Sequence, residues 1–266
     1  MKIHHLFLSV FITVTCMTST SFSAYSQGSR EYYQFKIYHV TKAQEAGVDN
    51  YLKTAYIPAM KRAGIKAVGV FKPVVTDTAD QKIYVFIPFN SLDQFDKINP
   101  VLAKDKQYAA AGKEYLEATG AKPAYKRIES IIIRAISNMP QTVFSKVSGP
   151  KNERVYELRS YEGASENLST NKIQMINEGS AKDGNEIDIF NRLNFNTVFI
   201  GEVLSGSRMP NLMYLTTYIN KADRDAHWAA FNNDAKWGSL RSLPEYQRNV
   251  SRNEQNFLYP VEYSDY

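Results

Sequence analysis

One order of elements occurs twice in this chain, the second time at an offset of roughly 125 residues, and a duplication of that length restricts the fold more than any single motif. Tyr33-Gln34-Phe35-Lys36-Ile37-Tyr38 is matched by Tyr156-Glu157-Leu158-Arg159-Ser160-Tyr161, and both stretches alternate as strands do. Val68-Gly69-Val70-Phe71 then parallels Ile200-Gly201-Glu202-Val203, and Tyr84 to Phe89 parallels Met213 to Tyr218. Each copy closes on a further apolar strand candidate, Ile128 to Ile136 and Phe257 to Val261.

Between the first two strands of each copy the apolar period becomes helical. Val48, Leu52, Ala55, Tyr56, Ala59 and Met60 form one stripe, which Pro58 should kink and Gly64 can end. In the second copy the matching face is split, with Leu168, Met175 and Ile176 before Lys182-Asp183-Gly184 and Ile189, Phe190 and Leu193 after it. Val101 to Ala118 and Arg224 to Leu240 read as the second helical region of each copy. The order is therefore β-α-β-β-α-β twice, the ferredoxin-like arrangement. The Pro, Ser and Gly residues around Met139-Pro140 and Ser148-Gly149-Pro150 mark a linker, giving domains at 27–145 and 150–266. A ferredoxin-like sheet covers one face with its own helices and leaves the other bare. Two copies in one chain can cover each other. The expected fold class is α+β, two ferredoxin-like units packed sheet to sheet as an intrachain dimeric α+β barrel.

The second copy also resembles a known family. Ile189-Phe190-Asn191-Arg192-Leu193, Val198 to Leu204, Met209-Pro210-Asn211-Leu212-Met213-Tyr214, and His227-Trp228-Ala229-Ala230-Phe231 with Asp234-Ala235-Lys236-Trp237 resemble the core of a NIPSNAP domain. Leu258 to Ser264 is similar to its final strand. In the first copy Pro88 to Phe95 stands where the tryptophan-bearing segment belongs, and neither tryptophan is present. The resemblance implies a dimeric α+β barrel and no established reaction.

The amino terminus sets the expected compartment. Lys2, an apolar run from Leu6 to about Met17 and a Ser/Thr-rich stretch have the pattern of a secretory signal over residues 1–26, too short for a stable membrane anchor. The single cysteine, Cys16, lies inside it, so the exported part has neither a disulfide nor a thiolate metal site. A periplasmic or secreted protein is the expectation. The formal charge of +5 is dispersed, which argues for solvated surface and against nucleic acid as a partner.

Strand alternation places a candidate ligand site. With Tyr33, Phe35, Ile37, Tyr156 and Leu158 turned toward the helices, Gln34, Lys36, Tyr38, Glu157, Arg159 and Tyr161 face the space between the sheets. A lumen carrying two cations and two tyrosines would suit a small carboxylate with an apolar body. A strand phase shifted by one residue, or a simple Glu157–Lys36 pair, is the competing explanation. His227 and Trp228 extend the candidate set, while Trp228, Phe231 and Trp237 at helical spacing also read as core. His39 and His227 are isolated, with no clustered ligands for a metal. No phosphate-binding loop, nucleophile elbow or dinucleotide fingerprint occurs.

The function expected on these grounds is small-molecule binding in an inter-sheet pocket, with no cofactor and with the pseudo-dimer free to assemble further. A scaffold or protein-interaction unit is the first alternative. A haem-binding or cofactor-poor oxygenase-like enzyme is the second, resting on fold analogy alone.

Overall fold

The computed structural model describes residues 29–266. The expected signal segment at 1–26, and Cys16 with it, lies outside the described residues.

The first copy runs β1 (Tyr32–Val40), α1 (Lys42–Tyr51), a π-helical turn (Leu52–Tyr56), α2 (Ile57–Arg62), β2 (Gly69–Pro73), β3 (Gln81–Phe89), α3 (Leu92–Ala103), α4 (Lys106–Ala111), α5 (Lys113–Leu116) and β4 (Arg127–Ala135). The second runs β5 (Val155–Glu162), α6 (Glu166–Asn177), α7 (Glu186–Arg192), β6 (Asn196–Ser205), β7 (Asn211–Tyr218), α8 (Lys221–Asn232), α9 (Ala235–Arg241), a short 3₁₀ turn and β8 (Arg252–Pro260). Pro58 shows its effect where expected. It cannot donate to the carbonyl four residues back, and the helix accommodates this by widening to a π turn over Leu52–Tyr56 before resuming. Gly64, at φ 89°, then turns the chain out of the helix.

All eight strands form one closed barrel in the order β1-β3-β2-β8-β5-β7-β6-β4. Each copy contributes four consecutive strands, and the copies join edge to edge. At one seam Phe71 pairs with Pro260, and at the other Ala135 pairs with Gly201. The seams are equivalent, since each joins the second strand of one copy to the last strand of the other. Closure leaves no edge of this sheet open to another chain. The two copies are thus one continuous sheet rather than two stacked ones.

The strand phase is the reverse of the expectation. Tyr33, Phe35, Phe71, Phe86, Tyr156, Leu158 and Phe199, drawn from both copies, form a single buried cluster that fills the lumen. Phe86 stacks on Phe199 with centroids 5.0 Å apart, across the two copies. Gln34, Lys36, Tyr38, Glu157, Arg159 and Tyr161 therefore point outward, beneath the helices. The physical reason is the relative size of the two apolar demands. A closed barrel interior has no route for solvating a charge and takes the uniformly apolar phase, whereas the sheet-to-helix layer opens at its ends and tolerates long polar side chains.

Two boundaries also shift. The second helical region begins earlier than its apolar periodicity suggests, because Ser91 and Asn220 cap α3 and α8 by accepting from the backbone N–H three residues on. The Gly69 and Gly201 pair is not equivalent. Gly69 pairs with Phe86 and Gly201 with Met213, yet Met213 occupies the second-copy position of Tyr84.

Candidate functional site

Strand pairing aligns the copies residue by residue. Tyr33 pairs with Pro88 and Tyr156 with Thr217, so Gln34, Lys36, Tyr38 and Val85 correspond to Glu157, Arg159, Tyr161 and Tyr214. Counting from the caps Ser91 and Asn220, Phe95 corresponds to Arg224 and Asn99 to Trp228.

In the second copy these positions build a polar cluster between β5 and α8. Glu157 is fully buried. It accepts from Arg224 Nε at 2.9 Å and Nη2 at 2.7 Å, and from Trp228 Nε1 at 2.7 Å. That fork satisfies the carboxylate. Arg159 lies next to it, 6% exposed, with its Nε 3.7 Å from the nearer Glu157 oxygen. The Arg159 Nε is buried without a hydrogen-bond partner. The guanidinium carbon sits 4.2 Å from the centre of the Trp228 ring and 5.4 Å from that of Tyr161, so aromatic faces flank the charge beside Glu157. Burial alone would lower its pKa, but Tyr214, Tyr161 and Glu157 hold it above the usual value and the group stays cationic. Tyr161 and Tyr214 share a hydrogen bond of 3.0 Å, and burial pushes both phenols up, which keeps them neutral donors.

Arg159 and Trp228 line a cavity of about 350 Å³ that also meets Tyr161, Lys172, Glu186 and Trp237. Lys172 and Glu186 are both buried and pair at 2.6 Å, so their charges cancel across the cavity wall. Arg159 is left with the 3.7 Å approach to a Glu157 already held by Arg224 and Trp228, and with no hydrogen-bonded partner for its Nε. Phe231, Trp237 and Met175 add apolar surface to the same lining. Among the described residues, the lining contains no histidine, serine or cysteine.

Of the residues singled out from sequence, Arg159, Tyr161 and Trp228 thus meet in one cavity, and Glu157 supports it from behind. His227 does not line it. Its Nδ1 approaches the Asp223 carbonyl at 2.9 Å, and its ring packs edge-on against Phe195. His39, on the lumen phase of β1 at the barrel mouth, lies between Asp80 and Glu129 at 2.9 and 2.6 Å. Among the described residues, no group of three or more His, Cys, Asp or Glu could hold a metal ion. No described helix is long and apolar enough to cross a membrane.

Lys36 and Tyr38 belong to the other copy and do not join this cavity. Lys36 sits over Tyr56 and Tyr38 at 4.9 and 5.5 Å, and burial lowers its pKa to about 8. Their surroundings have diverged. Gln34 bonds to Ser130, and Phe95 packs on Phe89, where the second copy has Glu157 and Arg224. The first copy has its own cavity of about 330 Å³ beside Tyr51 and Tyr115, two rings stacked 3.6 Å apart, and among the described residues its lining holds no buried unpaired charge. Sequence reading missed Arg224, Lys172 and Glu186. Arg224 was legible as a charge one turn before Trp228 on the same helix; the other two carry no signal before the fold brings α6 and α7 together.

Comparison with known proteins now adds the family. The NIPSNAP family model matches residues 156–265, the copy that holds this cavity. The second copy is a NIPSNAP domain. No curated protein matches it in sequence. Among solved structures it is similar to a proposed monooxygenase from Lactobacillus acidophilus, with 8% identity, 87% of this chain and 94% of that one covered, and a TM-score of 0.57. A second proposed monooxygenase, from Fusobacterium nucleatum, is 10% identical over 88% of this chain and 94% of that one, with a TM-score of 0.53. At those identities the likeness is one of fold, the dimeric α+β barrel. A NIPSNAP family protein from Agrobacterium tumefaciens, 16% identical, covers 42% of this chain and 98% of its own length at a TM-score of 0.37.

Proposed function

We propose that the NIPSNAP half of this chain binds a small organic anion with a flat apolar body, and that the protein does so outside the cytoplasm. The observation that carries the reading is Arg159, a buried guanidinium with an unsatisfied Nε at the wall of an open cavity. A buried donor left unpaired costs stability, and an anion supplied from solvent would remove that cost. Trp228, Trp237 and Phe231 offer the faces on which a flat body would rest. The cavity lies between sheet and helices, not between sheets.

The haem reading asks for an imidazole at the site. His39 and His227 both lie elsewhere, and each already meets polar partners. An enzymatic role would also have to proceed without the usual nucleophiles, since the ionisable lining consists of Arg159, Lys172, Glu186 and high-pKa tyrosines together with rim arginines.

Replacing Arg159 tests the reading. Arg159→Met should weaken binding of the best ligand from a panel of aryl carboxylates by roughly ten- to a hundredfold, the value of a charge-assisted hydrogen bond. Unfolding stability should change little or rise, since an unsatisfied buried donor is removed. Titration calorimetry of wild type and variant measures the first, and thermal melting without ligand the second. Affinity that survives the substitution unchanged would sink the site. Export is checked separately by N-terminal sequencing of the protein recovered from its own cell envelope, which should begin near Ala24 or Gln27; a retained leader would count against it.

A further inference from the structure

The cavity presents a second unsatisfied group, and its chemistry narrows the ligand further. Asn249, in the segment between the 3₁₀ turn and β8, lines the same cavity and is 4% exposed. Its Nδ2 donates to the Glu245 carbonyl at 3.3 Å, which fixes the amide, and its Oδ1 is buried without a hydrogen-bond partner. The preceding residue, Arg248, holds a left-handed φ of 57°, unusual for a side chain other than glycine, asparagine or aspartate. The wall thus contains a bare acceptor as well as the bare Arg159 donor. Each is more than nine-tenths buried.

We infer that the ligand of this pocket is a hydroxylated organic acid, whose acid oxygen meets Arg159 while its hydroxyl donates to Asn249 Oδ1. This rests on the binding reading above. The choice of a neutral donor over an ammonium follows from the charges. Among the described residues Glu186 is the only acidic side chain in the lining, and Lys172 already pairs with it at 2.6 Å. An ammonium would find no free carboxylate there and would add to the positive field of Arg159, Lys172, Arg241 and Arg248, which all line the cavity. A hydroxyl carries no such penalty, and it satisfies an amide oxygen that a deoxy ligand would leave buried and bare.

The test uses the full chain and matched acids: benzoate against its 2-, 3- and 4-hydroxy forms, phenylacetate against mandelate, and phenylglycine as the ammonium-bearing member. By titration calorimetry at least one hydroxy acid should bind wild type about three- to tenfold more tightly than its parent, the net worth of one neutral hydrogen bond. Phenylglycine should bind more weakly than phenylacetate. Asn249→Leu should erase the hydroxyl advantage while leaving the parent acid's affinity nearly unchanged, and Asn249→Ala gives the same comparison if leucine disturbs the fold. Arg159→Met should weaken hydroxy and parent acids alike. Equal binding of all pairs by wild type, tighter binding of phenylglycine than of phenylacetate, or a hydroxyl advantage that persists in both Asn249 variants overturns the inference while leaving the pocket intact. Failure of every acid to bind wild type, or binding indifferent to Arg159→Met, overturns the underlying reading instead.

Discussion

Arg224→Met should destabilise the protein by about 3 kcal/mol, because it strips the fully buried Glu157 carboxylate of its bidentate partner. Chemical denaturation should show this as a lower midpoint with an unchanged slope. The Trp228 N–H would remain, and among the described residues Arg159, 3.7 Å away, is the cation placed to take up the charge. If Arg159 does turn toward Glu157 it leaves the cavity, so the variant should lose ligand affinity together with stability. The first copy shows how the same position is built without the ion pair. There Gln34 and Phe95 stand for Glu157 and Arg224, and that half of the barrel is equally closed. The double variant Glu157→Gln, Arg224→Phe should therefore recover most of the lost stability, since breaking one partner of a buried pair costs far more than replacing both. Equal losses in the single and double variants would show that the pair does not act as a unit. A stable double variant that no longer binds would show that the fold does not need this pair and the pocket does.

How much of this was legible in the residues depends on what each inference used. Whereas the expected face-to-face packing of two sheets gives way to edge-to-edge closure, the duplication and the order of elements followed from period and sequence alone, since apolar alternation survives even where the family pattern has faded. Which face of β1 and β5 points where did not. Tyr33, Phe35 and Ile37 are apolar, but so are Tyr38 and Val40, and a strand buried on both sides offers alternation without a direction. The lumen takes the more uniformly apolar set, and that preference becomes visible only after all eight strands are compared. The error moved the site by one layer and kept only Arg159, Tyr161 and Trp228 of the expected lining, since Arg159 and Tyr161 share a face whichever way the strand is turned. Lys36 entered by the same alternation on β1, and the closed barrel puts it beneath the helices of the other copy. Asn249 was invisible beforehand, as an asparagine in a loop is unremarkable until its Oδ1 proves to be buried and bare.

The largest effect should come from separating the copies. Residues 27–145 and 150–266 expressed apart would each expose two seam edges and half of the lumen cluster, and neither should persist as a folded monomer. Because the two seams are equivalent, either half has the geometry to close with a second copy of itself. The contents of the lumen decide whether that works. The first copy brings Tyr33, Phe35, Phe71, Tyr84 and Phe86, whereas the second brings Tyr156, Phe199 and Tyr266 among smaller aliphatic side chains. Two first copies would place ten large rings where eight now pack, and two second copies would leave the lumen underfilled; both changes are destabilising in a close-packed core. The C-terminal residues add to the asymmetry, since Tyr266 packs edge-on against Phe86 and the Asp265 side chain accepts from the Val68 N–H and from Lys61. Self-association of each fragment should accordingly be weak or aggregating, and mixing or co-expressing the two should yield a soluble one-to-one complex of native stability. Size-exclusion chromatography with light scattering distinguishes the outcomes. Two stable monomers, or self-dimers that do not exchange into the mixed complex, would show that lumen complementarity is not what ties one copy to the other.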